Sequence, residues 1–232
     1  MKYLLRFCVF ALAAAVGTAV ASADTIVSFG AANGSGGSAP SGQATAVNTG
    51  GVTYLGYNTS LDTLSSGTPA GTFNITTGGG VWAGPVAGSS WISSDGNSQP
   101  GGTVDPFGTY TYATSFNATS GETLNLKVYA DDTTSVWLNG VQVLPSASGS
   151  GRGVHCTVGQ PNCVTEDDFA ISGFANGSNT LTFGVDQIYQ SATGLDFSGT
   201  FATSATPEPS SLMLLGTGLL GAAGALRRRL RS

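Results

Sequence analysis

The chain has 232 residues, of which 41% are hydrophobic and only 9% are charged, and it contains 35 glycines. Six of its eight basic residues lie near the termini, so the segment from Asp24 to Asp196 holds twelve acids against Lys127 and Arg152, a net charge of −10. A surface of this sign repels phosphate backbones and suits solubility outside the cell, which excludes nucleic acid as an expected partner.

The first 23 residues have the pattern of a secretory signal peptide. Lys2 and Arg6 precede an apolar run over residues 7–20, and Ala21 and Ala23 offer small-residue cleavage sites. The apolar run is too short for a stable transmembrane helix. We expect the Sec translocon and signal peptidase to act on this helical segment, with cleavage after Ala23. A buried first helix of the fold is the alternative.

The segment after the signal peptide predicts short strands separated by polar turns. Residues 25–29 have the composition of a strand, and residues 31–51 are small, polar and glycine-rich, which predicts a long mobile loop. Three more strands are predicted before residue 100, at 52–57, 72–76 and 81–82.

Longer strands are predicted in the second half, where apolar side chains alternate with polar ones. The alternating sets are Tyr110, Tyr112, Thr114 and Phe116; Leu124, Leu126 and Val128; Leu181, Phe183 and Val185; and Leu195, Phe197 and Phe201. Strands at short intervals with glycine-rich turns predict an all-β body over residues 24–203, a β-sandwich or jelly roll.

Asn139 and Gly140 predict a two-residue β-hairpin turn, because this pair accepts the positive φ that a type I′ turn requires. Trp137 and Gln142 would share the outward face. The predicted register places four aliphatic side chains on one buried face: Val136, Leu138, Val141 and Val143.

The cysteines indicate an oxidising compartment. Cys8 leaves with the signal peptide, so Cys156 and Cys163 remain as an even, closely spaced pair and predict a disulfide. The short loop that it closes gives roughly 2–3 kcal/mol of stabilisation by loop entropy. A zinc site is the alternative, but it would need further ligands, and only His155 is nearby.

The last 29 residues, 204–232, combine a Pro-Glu-Pro motif, a Leu/Gly/Ala-rich apolar run over 212–226 and an arginine cluster. This order of features closely resembles the PEP-CTERM sorting signal, a tail also labelled the ice-binding protein C-terminal domain. The resemblance implies recognition by a membrane enzyme, exosortase, in Gram-negative bacteria that make exopolysaccharide. The implied sorting residues are Pro207, Glu208, Pro209, Arg227, Arg228 and Arg229.

The apolar run of the tail is short for a membrane anchor. As a helix, residues 212–226 span about 22 Å, less than the roughly 30 Å of a hydrocarbon core. The arginines would stay in the cytoplasm and leave the body outside. We therefore expect a C-terminal transmembrane helix that pauses in the membrane without being a robust permanent anchor, followed by cell-surface or extracellular localisation if the tail is cleaved. A permanently anchored envelope protein is the alternative.

Residues 110–201 resemble galactose-binding-like jelly rolls, in which an aspartate-rich turn precedes a strand that ends in an Asn-Gly hairpin. Here Asp131 and Asp132 occupy that turn, before Asn139 and Gly140. The resemblance implies the fold and makes a structural calcium possible, with Asp131 and Asp132 as its candidate ligands. A solvated acidic loop is the alternative, and no other cofactor is expected.

Residues for catalysis are sparse. The single histidine, His155, lies beside Cys156 in the loop that the disulfide would close, and no G-x-S-x-G motif occurs. The two acidic clusters, Asp131-Asp132 and Glu166-Asp167-Asp168, are interpreted as solvated turns. We expect a non-catalytic surface or matrix protein that associates with exopolysaccharide. A secreted glycan-active hydrolase that uses paired carboxylates is the alternative.

Three tryptophans are candidates for stacking on sugar rings: Trp82, Trp91 and Trp137. Trp137 is the best of them, because the hairpin register turns it away from the aliphatic face. Core positions are the preferred interpretation for Trp82 and Trp91.

Overall fold

The computed structural model describes residues 24–30, 32–34, 46–147, 156, 159–203, 217–219, 221, 227 and 229. Within these residues the body forms thirteen strands: β1 Thr25–Val27, β2 Ala32–Asn33, β3 Thr53–Asn58, β4 Ala70–Gly71, β5 Phe73–Asn74, β6 Ile92–Ser93, β7 Gly108–Ala118, β8 Glu122–Asp131, β9 Thr133–Leu138, β10 Val141–Leu144, β11 Asp167–Ile171, β12 Gly177–Gln187 and β13 Gly194–Thr203.

The strands form two sheets that pack face to face. The first sheet has the order β11-β8-β13-β6-β5-β2, with β1 also paired to β13, and the second has the order β10-β9-β12-β7-β3-β4. The long strands pair antiparallel, whereas the two-residue pairing of β2 with β5 is parallel. The prediction of an all-β body built as a sandwich is confirmed.

The core lies between the sheets and is filled by the alternating residues of the long central strands. On β8, Leu124, Leu126 and Val128 are fully buried, as their spacing predicts. The rings of Phe183 on β12 and Phe197 on β13 stack across the two sheets with centroids 4.5 Å apart. Contacts of this kind between inner faces hold the sandwich together.

The Asn139-Gly140 turn forms as predicted, with φ of 50° and 82°, but the buried face assigned to the hairpin is wrong on β10. Val136 and Leu138 are buried, whereas Val141 is 67% exposed and Val143 is 37% exposed. A register shift after Gln142 places Leu144, not Val143, opposite Val136. β10 is the outermost strand of its sheet, so Val141, Gln142 and Val143 face solvent, whereas half-buried Leu144 packs against the core.

Other differences from the predicted elements occur in the first half. Residues 81–82 lie in a turn instead of a strand, and the segment 72–76 contributes only the two residues of β5. The predicted loop 31–51 contains β2 and an isolated bridge at Ala46, and its residues 35–45 lie outside the described part of the chain. The short strands β6 and β11 had no alternating pattern to predict them.

The predicted terminal helices are not confirmed. Residues 1–23 lie outside the described residues, and in the tail only residues 217–219, 221, 227 and 229 are described, as helical. In the part of the chain that the structure describes, every helix is too short or too polar to cross a membrane.

Candidate functional site

An open groove of about 520 Å³ lies at one end of the sandwich, where the segment before β7 meets the loop between β12 and β13. We call it the loop groove. Apolar surface comes from Val81, Pro100 and Val104, and amide and hydroxyl groups come from Gln99, Gln190 and Ser191. All the described residues that line the groove are uncharged. Mixed apolar and neutral polar surface of this kind is typical of sites for small uncharged molecules or sugar units.

The two segments that form the loop groove are joined by a buried network beneath it. The Asp105 backbone N–H donates to the Ser191 carbonyl at 2.8 Å, and the Thr193 N–H donates to the Asp105 carboxylate at 2.9 Å. The buried Ser98 hydroxyl donates to that same carboxylate and also contacts the Thr193 carbonyl. Burial raises the pKa of Asp105, and its hydrogen bonds to Ser98 and Thr193 oppose that rise.

Two glutamines support the groove from opposite sides. The amide of buried Gln187 donates to the carbonyls of Ser191 and Ala192 at 3.0 and 2.9 Å. The side-chain oxygen of Gln99 accepts a hydrogen bond from the Thr76 hydroxyl at 2.6 Å. The walls of the groove are therefore held in place by the protein itself, which reduces the entropy lost when a ligand binds.

A tryptophan–disulfide cluster packs near the same end. Trp82 and Trp91 are each 1% exposed, with ring centroids 4.5 Å apart, and they share a buried cluster with Cys156 and Cys163. The two cysteines are bonded to each other, as predicted, with Cα atoms 5.1 Å apart. Both tryptophans are buried, which confirms the preferred interpretation of them as core residues and means that they cannot present a ring to a sugar.

Asp131 and Asp132 are not a solvated turn. Asp131 ends β8 and Asp132 lies between β8 and β9, and both are buried. One Asp131 oxygen accepts from the Trp82 indole N–H at 2.7 Å, and one Asp132 oxygen accepts from the backbone N–H groups of Ile188 and Tyr189 at 2.7 and 3.1 Å. Burial, with the nearby charge of Asp132, raises the pKa of Asp131 well above its usual range.

These contacts make one oxygen of Asp131 and one oxygen of Asp132 hydrogen-bond acceptors within the fold, and calcium binding by the two residues stays a prediction. Asp131 also lies close to Cys156 and Cys163, with potential ligand atoms within 4.8 Å of one another. The sulfurs of that group are bonded to each other, however, and a disulfide does not supply the thiolates that a metal needs. The group formed by Asp131, Cys156 and Cys163 therefore does not fit a metal centre.

Trp137 and the second acidic cluster lie away from the loop groove. Trp137 is partly exposed on the outer face of β9, and its indole N–H donates to the Ser135 hydroxyl at 3.1 Å. Glu166 and Asp168 both contact Lys127, with N–O distances of 2.5 and 3.1 Å. This acidic cluster forms an ion-pair network across the β8–β11 pairing and stays solvated, since the Glu166 and Asp168 side chains are 35% and 56% exposed.

Several sequence-predicted residues lie outside the described residues. These are Ala21, Ala23, His155, Pro207, Glu208, Pro209 and Arg228, whereas Arg227 and Arg229 are described as helical. No pattern in the sequence predicted the loop groove. Its one local signal is the turn-forming stretch Pro100-Gly101-Gly102 between apolar Val81 and Val104, which does not reveal that residues near 190 complete the site.

Residues 205–229 match the model of the PEP-CTERM protein-sorting motif, which confirms the resemblance of the tail. The motif implies export and processing by exosortase-type machinery. A comparison with curated protein sequences found no match.

Solved structures similar to the chain include carbohydrate-binding modules. A family 35 module from Clostridium thermocellum is 18% identical with a TM-score of 0.34, covering 57% of this chain and 88% of the module. A family 35 module from an environmental isolate is 11% identical with a TM-score of 0.29, covering 54% and 85%. A β-glucosidase from Kluyveromyces marxianus is 7% identical with a TM-score of 0.33, covering 66% of this chain but only 17% of the enzyme. TM-scores this low support no conclusion about the function of this chain.

Proposed function

We propose that this chain is an exported, non-catalytic surface or matrix protein, sorted through its PEP-CTERM tail, whose sandwich body associates with exopolysaccharide. The observation that carries the proposal is the match of residues 205–229 to the sorting motif, with all three of its parts in order at the end of an acidic, disulfide-bonded body. Those features of the body suit an oxidising environment outside the cytoplasm.

The loop groove supports the association with polysaccharide. Its floor is held by Asp105 and Gln187, and its surface offers the apolar patches and neutral hydrogen-bonding groups that match the two faces and the hydroxyls of a sugar ring. The described lining residues bring no charge to attract or repel an ionised group, so we propose a neutral glycan segment as the ligand.

The buried aspartates support a structural role for the acidic side chains of the core. Asp105, Asp132 and Asp196 each accept hydrogen bonds from backbone or hydroxyl donors inside the protein. Carboxylates held in this way stabilise the positions of loops. This structural role accounts for their burial without a catalytic role.

Fractionation tests the role of the tail. In a host with an exosortase, the wild type is compared with a deletion of residues 207–232 and with substitution of Pro207, Glu208 and Pro209 by alanine. We expect the motif variant to be membrane-retained and uncleaved, and the deletion to be soluble. If the motif variant is processed and located like the wild type, the sorting role is rejected.

Binding tests the role of the groove. Val104, in the groove, and Val141, on β10, are 65% and 67% exposed, so Val104→Glu and Val141→Glu form a matched pair. We expect Val104→Glu to abolish co-sedimentation with the host's purified exopolysaccharide and Val141→Glu to bind like the wild type. Equal binding by both variants would reject the groove. Release of reducing ends by the wild type would instead favour a hydrolase.

A further inference from the structure

Both ends of the body leave the sandwich at the same place. The Phe201 N–H donates to the Asp24 carbonyl at 2.9 Å, and β1 pairs antiparallel with β13, with Thr25 opposite Thr200. Asp24 and Thr203 therefore lie at the same end of the sandwich. The neighbouring pair of Thr203 with Glu122 places the β7–β8 turn, residues 119–121, at that end as well.

The loop groove lies at the opposite end. Its residues Gln190 and Ser191 come just before β13 begins at Gly194, whereas the tail departs after β13 ends at Thr203. The strand β7 repeats this arrangement, because the groove residue Val104 precedes its start and Ala118 ends it near the tail. Ten residues of β13 at about 3.4 Å each separate the two ends by about 30 Å.

Little chain separates the body from the apolar segments. Eight residues, 204–211, lie between Thr203 and the apolar run of the tail that begins at Leu212. Fully extended, they reach at most about 30 Å. On the other side, three residues, 21–23, lie between the apolar run of the signal peptide and Asp24. A tethered body of this kind must therefore stay close to the bilayer.

We propose that the end of the sandwich formed by residues 119–121, 176–177 and Thr203 faces the lipid surface while the tail is retained, and that the loop groove points away from the membrane. We call the former the membrane-facing end. Its exposed residues Thr119, Ser120, Gly121, Asn176 and Gly177 are uncharged and small. The acids at this end are exposed Asp24, beside Phe201, and Glu122, whose carboxylate accepts a hydrogen bond from the Thr119 N–H.

The arrangement has a consequence for the order of events. Both membrane-linked segments leave from one end, so the groove is directed outward before either segment is cleaved, and ligand can bind to a body that is still tethered. The inference rests on the tail acting as the sorting segment, but it does not depend on what the groove binds.

The test places a fluorophore at each end of the signal-processed full chain. Ser120→Cys labels the membrane-facing end and Val104→Cys labels the groove, and the native cysteines are protected by their disulfide. Each labelled protein is reconstituted into phosphatidylcholine vesicles that carry a nitroxide on the lipid headgroup. The wild type, treated with the same dye, measures background labelling, and the body without residues 207–232 measures quenching in the absence of a tether.

We expect loss of most of the fluorescence from the label at Ser120→Cys and no loss from the label at Val104→Cys, with neither quenched after deletion of the tail. Equal quenching at both positions, or stronger quenching in the groove, would overturn the orientation. Failure of the full chain to float with the vesicles would overturn the tether itself. Exopolysaccharide binding, measured on the wild type and on the protein labelled at Ser120→Cys, reports separately on the proposed ligand.

Discussion

Asp196 is buried on β13 and accepts three hydrogen bonds that join distant parts of the sequence. The hydroxyls of Ser28 and Ser89 donate to one oxygen at 2.9 and 2.5 Å, and the Val86 N–H donates to the other at 2.7 Å. The carboxylate therefore links the end of β1 and the segment before β6 to β13, in the middle of the first sheet.

Replacing Asp196 with asparagine removes one acceptor oxygen and turns an amide N–H toward an existing donor. We expect Asp196→Asn to lower the free energy of unfolding by about 2–3 kcal/mol. Denaturant unfolding of the body measures this change. Asp95→Asn, at an exposed turn position, is the control and should change stability by less than about 0.5 kcal/mol.

Two buried carboxyls predict the dependence of stability on pH. Burial raises the pKa of Asp196 and of Asp186 from 3.8 to about 6, although hydrogen bonds from Ser89 and Thr109 oppose the shift. Because the folded pKa exceeds the unfolded one, the folded state binds more protons between these values. The contribution of these two groups to the free energy of unfolding is therefore greatest below about pH 4. It falls as the pH rises through 6 and is constant at higher pH.

A shift of this size corresponds to about 3 kcal/mol for Asp196. We expect the melting temperature of the body to be higher at pH 4.5 than at pH 7.5, measured at constant ionic strength. The Asp196→Asn variant should show a smaller difference between the two pH values. A melting temperature that rises from pH 4.5 to 7.5 would contradict the prediction.

At the scale of elements, the disulfide connects a loop to the tryptophan cluster. Cys163 is fully buried, its carbonyl accepts from the Ala83 N–H at 2.8 Å, and the carbonyl of the neighbouring Asn162 accepts from Ala130 on β8 at 3.3 Å. The bond therefore holds Cys156 and residues 159–163 against the end of the first sheet.

We expect the double variant Cys156→Ser, Cys163→Ser to lose about 3–5 kcal/mol of stability, more than loop entropy alone, because it places two hydroxyls in a buried apolar cluster. Tryptophan fluorescence should shift to longer wavelength as water reaches Trp82 and Trp91. The emission of the reduced wild type should shift in the same direction. Unchanged emission would show that the cluster packs without the bond.

The β9–β10 hairpin offers a matched test of backbone strain. A side chain at Gly140 or Gly121 would meet open space, but only Gly140 has a left-handed conformation, with φ of 82°. We expect Gly140→Ala to destabilise the body by about 1 kcal/mol and Gly121→Ala to leave it unchanged or slightly more stable. Equal effects in denaturant unfolding would show that the turn does not require this conformation.

At the scale of the molecule, the body is expected to fold without its tail. The last strand ends at Thr203, and its pairings with β8 and β1 involve residues that lie before the sorting motif. Deletion of residues 207–232 should leave the melting temperature within about 2 °C of that of the full chain in detergent. A larger decrease would show that the tail packs on the sandwich.

The sequence alone predicted the features that depend on local spacing. Period-two alternation predicted β7, β8, β12 and β13, the Asn139-Gly140 pair predicted its turn, and an even cysteine count predicted the disulfide. The sorting tail was also predicted from the sequence, because its motif is contiguous in the chain. Such features are set by neighbours within a few residues, which the sequence displays directly.

Only the tertiary structure decided which faces are covered and which distant residues meet. It exposed Val141 because β10 is an edge strand, and it buried Asp131 and Asp132 because loops far along the chain supply N–H donors. It also joined residues near 100 and 190 into one groove and placed Asp24 beside Phe201. Burial and proximity depend on how sheets stack and strands pair over long separations, and local residue patterns do not specify either.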